Sequence, residues 1–420
     1  MAQIDHSQRD TFVAEIPHGT EATCPTKKTR KEGVRLHGSV ALKGGTPMLR
    51  NSFLKATRVR TTTASALAVF AILFASTGAA FSQGASNDVQ AALDPSEFSA
   101  KVNTVPLTLK DFPRAETHHM MAVSIKVFDL LGQWHHIREL TPIDNQTVVR
   151  SNRDTLYSGI VLDLTTPAVI TRPDTGERYQ SLLILNEDHF AKQVIYEPGD
   201  YELTQDAMGS RYVYIIVRTL VDAEDPDDLA LAHAAQDGLK VSQADKGKFE
   251  VPNWDMDALD EMRDALKVLG KYLKKRDTAF GASIEDVDPI SYVVATADTW
   301  GGWKPENAVY QNFIPVKNDG ETPYVLTLKD VPNAPNAFWS ISVYNDAGFF
   351  EKNDFDKYVI NSAKAEYNED GSATIHFGGD PSQPNFLPIM REWNYMLRIY
   401  LPQEAYFDGS WTSPEATPAE

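Results

Sequence analysis

Residues 147–164, TVVRSNRDTLYSGIVLDL, hold the change of period on which the fold turns. Before them, from Phe112 to about Trp134, Met121, Ile125, Phe128 and Leu131 recur at three- and four-residue spacing, and Pro113 stands where a first helical turn tolerates it, so an amphipathic helix is expected. Within the stretch, Asn152, Arg153 and Asp154 precede an apolar run with strand character. After it, YQSLLIL, KQVIYE and RYVYIIVRTLV follow, separated by Pro, Gly, Asp and Asn, which is the pattern of a β region.

Helical spacing then returns. DPDDLALAHAAQDGLKV opens on Asp-Pro and sets Leu229, Ala232, Gln236 and Leu239 on one face. MDALDEMRDALKVLGKYLKKR points Leu259, Met262, Leu266, Leu269 and Leu273 inward and gathers Lys271, Lys274, Lys275 and Arg276 where a helix dipole favours cations. Beyond Asp298 strand patterns run to the end: YVLTLKDV, AFWSISVYN, KYVI, SATIHFGG and YMLRIYLP, with NDG at 318–320 and EDG at 369–371 as hairpin signals. The expected architecture is mainly β with helices (α+β), in two domains. An N-terminal β domain with helical segments spans 100–280, and a C-terminal β-sandwich or jelly-roll-like domain spans 295–420, with the boundary near 277–297.

The formal net charge of −18 is unevenly spread. Residues 1–82 carry 11 Lys/Arg against 5 Asp/Glu, and the rest carries 29 against 53. So acidic a body repels phosphate backbones, which argues against a nucleic-acid partner. The basic end reads as a secretory signal: MLRNSFLKATRVR (48–60) is the cationic region, an apolar core runs from Ala64 to about Phe74, and small residues at Ala79, Ala80 and Ser82 suit cleavage near 80–82. Translation from Met48 would make residues 1–47 an over-extended start. The apolar core is short for a membrane span, so a periplasmic or secreted protein without a span after cleavage is expected. Cys24, the single cysteine, precedes the cut, which leaves no disulfide and no cysteine nucleophile in the mature chain. The sequence sets no oligomeric state.

The chain resembles the bacterial two-domain proteins known as domains of unknown function twelve fifty-four (N-terminal) and twelve fourteen (C-terminal). The resemblance rests on VVRSNRDTLYS, ILNEDHF, GSRYVYIIVRTLVD and HAAQDGLKV in the first half. In the second it rests on WGGWKPENAVYQNF, FWSISVYNDAGFF, DGSATIHFGG, WNYMLRIYLP and FDGSWTSPEA, so that it covers roughly 100–420. It implies a mostly β, two-domain, often exported body and supplies no activity. LNEDHF resembles one branch of the family, so what is inferred at His189 is specific to that branch.

Four constellations carry candidate chemistry. In SNRDTLY, Arg153 could clamp a carboxylate or phosphate, with Asn152 and the Tyr157 hydroxyl orienting it; alternatively Asp154 caps the turn and Arg153 pairs with it or with Asp163. In NEDHF, Glu187 and His189 could offer two ligands to a divalent metal, or His189 could act as a base oriented by Asp188. His233 and Asp237, four apart on a helix, could complete a metal site or form a surface ion pair. TWGGWKPENAVYQNF adds Trp300, Trp303 and Tyr310 around a Gly-Gly hinge, as a ligand wall or as packing between domains. The adjacent pairs His118-His119 and His135-His136 lack helical two-His spacing. No GxxxxGK, GxGxxG, GxSxG or HExxH occurs, so no nucleotide cofactor is expected. Three functions remain open: binding or processing a small polar or anionic molecule in an inter-domain cleft, a metal-dependent hydrolase or lyase, and a non-catalytic envelope module.

Overall fold

The computed structural model describes residues 104–146, 149–273 and 277–419. The signal segment, the alternative start, Cys24 and the basic trio at 274–276 lie outside the described residues. The fold is mixed α+β, mostly strands with six helices among the described residues. No helix among them is long and apolar enough to cross a membrane.

The four apolar runs of the first half form a five-stranded antiparallel sheet together with His135–His136. In spatial order its strands are His135–His136, Thr155–Asp163, Tyr212–Leu220, Gln180–Asn186 and Ala191–Ile195. Both faces of this sheet are covered, so its strands read as continuous apolar runs instead of alternating ones. On one face Ile160, Leu162, Leu182, Ile184, Val213 and Ile215 pack on a three-stranded sheet built from Ala168–Arg172, Gly199–Leu203 and Lys240–Gln243. On the other face Val161, Leu183, Leu185, Tyr214 and Ile216 meet the helix Phe112–Phe128 and the start of the second half.

That helix is shorter than its spacing predicts. Asp129 takes a left-handed conformation (φ 55°) and its N–H closes on the Ile125 carbonyl, which ends the helix. Leu131 then bridges to Val161 as extended chain. The helix Pro226–Asp237 begins as expected, with the Asp225 side chain accepting from the Asp227 N–H. In Met256–Gly270, Leu259 and Leu266 point inward, but Leu269 is half exposed, because the helix ends one residue later and its inward stripe has already rotated away. A helix at Pro289–Asp298, absent from the sequence reading, packs Val294 and Ala297 against Leu259 and Leu266. The first half therefore extends to Asp298, and the passage into the second runs through 299–307.

The second half is a sandwich of two four-stranded sheets. One carries, in spatial order, Ala308–Phe313, Asn394–Tyr400, Trp339–Tyr344 and Val359–Asn361. The other carries Phe386–Leu387, Ala373–Phe377, Tyr324–Leu328 and Thr417–Pro418. Ile341, Val343, Leu397 and Ile399 from the first interdigitate with Leu326, Leu328, Ile375 and Phe377 from the second. The turns at NDG and EDG form, with Gly320 (φ 80°) and Gly371 (φ 77°) in the left-handed region. Neither makes a hairpin: each hands the chain from one sheet to the other, as a sandwich with crossing connections requires.

Candidate functional site

Arg218 lies near the C-terminal end of the central strand of the five-stranded sheet, only 5% exposed. Its register partners are Tyr157 on one neighbouring strand and Ser181 on the other, which makes a Tyr–Arg–Ser row across the face turned to the second half. The same row occurs opposite. Arg398, central in its own sheet and 2% exposed, is in register with Tyr310 on one side and Ser340 on the other. Both sheets bury apolar residues on their far faces and set these rows toward the junction.

The two arginines are held differently. Arg398 donates to Ser342 Oγ (2.7 Å), to the Tyr344 hydroxyl (2.7 Å) and to the Arg150 carbonyl (3.0 Å), so its fork is engaged in structure. The Arg218 guanidinium, which is also hydrogen-bonded to Tyr157, lies 4.3 Å from the centre of the Trp303 ring in the connecting passage and 5.7 Å from that of Tyr157 in the first half. Tyr157, Tyr310 and Tyr400 favour its charged form, and its charge in turn acts on the phenols of Tyr179 and Tyr196. Burial raises the phenols of Tyr179, Tyr196, Tyr310 and Tyr400, which keeps these hydroxyls protonated around the cation. Tyr400 stacks on Phe338 at 4.2 Å and Tyr179 meets the Phe338 edge at 5.2 Å, so the wall is rigid. Tyr310, on the edge strand of its sheet, is 42% exposed as a residue while its hydroxyl end is buried in the cluster, so it stands at the cluster's outer margin. The Trp303 ring is buried, and its Nε1–H has no hydrogen-bond partner among the described residues.

The Asn-Arg-Asp motif stands beside this cluster and ties the halves together. Asn152 Nδ2 donates to the Tyr400 hydroxyl (2.7 Å) while its Oδ1 accepts from the Asp154 N–H (2.6 Å). Asp154, fully buried, accepts from Asn361 Nδ2 (3.1 Å), and burial raises its carboxyl against the pull of Arg398. Arg153 donates to the Thr141 carbonyl and lies 5.1 Å from the centre of the Tyr358 ring. Arg153 and Asp154 therefore pair neither with each other nor, in the case of Arg153, with Asp163, whose partner is Arg211 (2.7 Å). Thr141 and Tyr358 thus hold the Arg153 guanidinium at the contact between the halves.

The metal constellation does not assemble. Glu187 Oε1 pairs with His118 Nε2 at 2.8 Å, both buried. His189 lies 2% exposed with a positive φ of 63°; its Nε2 accepts from the Gly301 N–H (2.8 Å) and its Nδ1 meets Thr296 Oγ1 (3.0 Å). Thr296 itself donates to the Tyr292 carbonyl (2.9 Å), so the histidine is the neutral Nδ1–H tautomer with neither nitrogen left for a metal or a proton relay. Burial holds it neutral, pushed down to about 3. His233 Nε2 meets the Arg138 carbonyl (2.9 Å) and Asp237 pairs with Arg138. Among the described residues no three His, Cys, Asp or Glu side chains are grouped to hold an ion.

The aromatic segment divides in the same way. Trp300 stacks on His189 (5.4 Å) and donates to Thr117 Oγ1 (3.1 Å), a core position, whereas Trp303, Tyr310 and Tyr157 join the arginine cluster. Gly301 (φ 74°) delivers its N–H to His189, and a Cβ on Gly302 would lie 2.1 Å from the Phe280 ring, so the Gly-Gly pair is a close-packed contact and not a hinge. Gly302→Ala is expected to lose about 1–3 kcal/mol, read as a lower midpoint in urea with unchanged slope.

Sequence reasoning missed Arg218, Arg398, Tyr179, Tyr196 and Tyr400. The available signal was a lone arginine inside each of two apolar strands, YVYIIVRTL and NYMLRIY, since a charge in a buried strand needs a reason to be there.

Family models described as "Protein of unknown function (DUF1254)" and "Protein of unknown function (DUF1214)" match residues 131–243 and 315–404. The chain thus carries this N-terminal and this C-terminal domain of unknown function. A crystal structure of a protein from Vibrio parahaemolyticus matches with a TM-score of 0.57 at 17% identity, covering 79% of this chain and all of that one (100%), which shows a shared fold. An uncharacterized protein from Burkholderia cenocepacia matches at 14% identity with a TM-score of 0.42, over 80% of this chain and 96% of that one. No curated protein matches the chain.

Proposed function

We propose that this two-domain chain binds a small anionic molecule at the junction of its halves, with Arg218 as the recognising cation. The observation that carries the reading is Arg218 itself: a guanidinium buried near the end of a central strand, stacked on Trp303 and ringed by five tyrosines. A planar fork with protonated phenols suits a carboxylate or phosphate, because these groups are donors, although the Tyr196 hydroxyl already donates to Asn307 Oδ1 (2.8 Å). The buried indole N–H of Trp303 adds a donor of the same kind. Half-exposed Tyr310 provides the side from which a ligand would enter. The N-terminal signal pattern at 48–82 supports placing this activity outside the cytoplasm, which fractionation of cells expressing the full chain would test.

Inorganic phosphate and succinate are the probes. Titration followed by calorimetry is expected to give saturable binding of at least one of them. Arg218→Met should weaken it by about a hundredfold, the loss of a charge-assisted bidentate contact of about 1.5–3 kcal/mol. Because a buried arginine can also support the fold, Tyr310→Phe serves as the second variant: it removes one hydroxyl and should weaken binding about three- to tenfold with an unchanged melting temperature. Saturable binding that neither variant alters, or no binding of any small carboxylate or phosphate by the native chain, would overturn the reading.

A further inference from the structure

At the edge of the sandwich, the edge strand Ala308–Phe313 and the closing segment 404–413 line a separate, open cavity of about 350 Å³. Successive strand residues alternate between faces, so Tyr310 serves the junction while Gln311 and Phe313 lie on the inward face of Val309 and line this cavity at the sandwich's edge. The short helix Glu404–Phe407 and the chain after it fold back over the strand and bring Tyr406, Trp411, Thr412 and Ser413 to its rim.

We propose that this cavity is a binding site for a neutral polyhydroxylated ligand of the size of a single sugar ring. Three observations carry it. The lining is uncharged: three aromatic rings (Phe313, Tyr406, Trp411), one primary amide (Gln311), two hydroxyls (Thr412, Ser413) and Gly409. Such a set offers flat apolar faces to the C–H side of a ring and neutral donors and acceptors to its hydroxyls, while giving no compensation to a charge. The volume lies at the small end of ligand pockets, which fits one ring better than a chain.

The third observation concerns the polar atoms. Gln311 Nε2 donates to the Tyr406 hydroxyl (3.2 Å), which leaves Oε1 as the other polar atom of the amide. That Oε1 is buried and has no hydrogen-bond partner among the described residues, and Ser413 Oγ is in the same position. Two residues of the lining thus each carry a shielded polar atom without a partner, and a small shift of either side chain toward the cavity would let a ligand hydroxyl, which both donates and accepts, satisfy it. The aromatic platform is preformed: Trp411 Nε1 donates to the Lys329 carbonyl (3.0 Å), and Phe313 stacks on Tyr395 at 5.0 Å and 16°. A ligand would therefore meet a rigid wall, which lowers the ordering cost of binding.

The test titrates the full chain with methyl glucoside and, in parallel, with glucuronate and glucosamine, read by saturation-transfer NMR. Saturable binding of the neutral sugar in the millimolar range, weaker for both charged sugars and not displaced by inorganic phosphate, is expected. Gln311→Leu and Trp411→Leu should each weaken it about tenfold or more, with circular dichroism unchanged for Gln311→Leu. No saturable binding of methyl glucoside or of other neutral monosaccharides, equal binding of the charged sugars, or binding indifferent to Gln311→Leu would overturn the proposal. Displacement by phosphate would assign the sugar to the arginine cluster and would also overturn it.

Discussion

Arg398→Met is expected to destabilise the protein by about 3–5 kcal/mol, the range for removing one side of a buried charged network. The side chain is 2% exposed and makes three hydrogen bonds at 2.7–3.0 Å: to Ser342, to the Tyr344 hydroxyl and to the Arg150 carbonyl. Methionine fills most of the volume and returns none of these, so a buried carbonyl and two buried hydroxyls lose a donor. The fully buried Asp154 also loses the cation that most relieves its charge. Pairing the change with Asp154→Asn separates the two contributions. If the charge of Asp154 is what Arg398 offsets, the double variant should recover about 1–3 kcal/mol relative to the sum of the single ones. Strict additivity in urea unfolding would mean that Arg398 acts through its hydrogen bonds alone.

That network shows where sequence reasoning reached and where it stopped. The strands were legible because their apolar runs are short, continuous and punctuated, which is how strands covered on both faces read. Ala308–Phe313 escaped because an edge strand with one polar face, AVYQNF, lacks such a run. The helix Pro289–Asp298 escaped for a different reason: PISYVVATAD is rich in β-branched residues, and its contacts with Leu259 and Leu266 outweigh that local preference. The hairpin signals fixed the turns and not the pairing, since a turn residue specifies backbone conformation and the sheet a strand joins is settled by long-range packing.

The site was less legible, for reasons residing in the same contacts. Asn152, Arg153 and Asp154 attracted attention because three polar residues preceded a strand, and they turn out to bind the second half at Tyr400, Tyr358 and Asn361, some two hundred positions away in sequence. Nothing local encodes those partners. Glu187 and His189 suggested a shared face because they are two apart in sequence, but the chain leaves its strand at Asn186 and His189 takes a positive φ, which sends the two side chains to different partners. Arg218 and Arg398 looked like ordinary members of strands. Their meaning depends on two rows of Tyr, Arg and Ser facing one another, and register across strands cannot be read from one strand.

The histidines that hold no metal have a consequence for acid stability. His189 is neutral in the fold and pushed down to about 3, against an ordinary value of 6.5, because burial disfavours its charged form. His119, inside the helix Phe112–Phe128, is pushed down to about 4 by burial and by the neighbouring guanidinium of Arg263. In both cases the unfolded chain binds a proton that the folded chain refuses, so between pH 6.5 and the folded value stability falls as the pH falls. The contribution is fully present above about pH 6.5, and by pH 5 His189 alone should have surrendered about 2 kcal/mol. The buried carboxylates Glu116 and Glu187, lowered overall by Arg263 and by His118 against the opposing pull of burial, add a loss of the same sign at lower pH. Asp154, raised by burial, opposes it. His136, pushed down to about 4 by burial and by Arg138, adds a third proton of the same sign, and burial lowers His135 and His376 as well, so stability in urea should decline from about pH 7 to pH 5 with a slope of about three protons or more, well before carboxylates with ordinary values titrate. In His189→Gln, which cannot gain a charge, the absolute stability should be lower and the slope shallower by about one proton. An unchanged slope in that variant would show that the imidazole is protonated in the fold, and the Gly301 N–H could then not be donating to its Nε2.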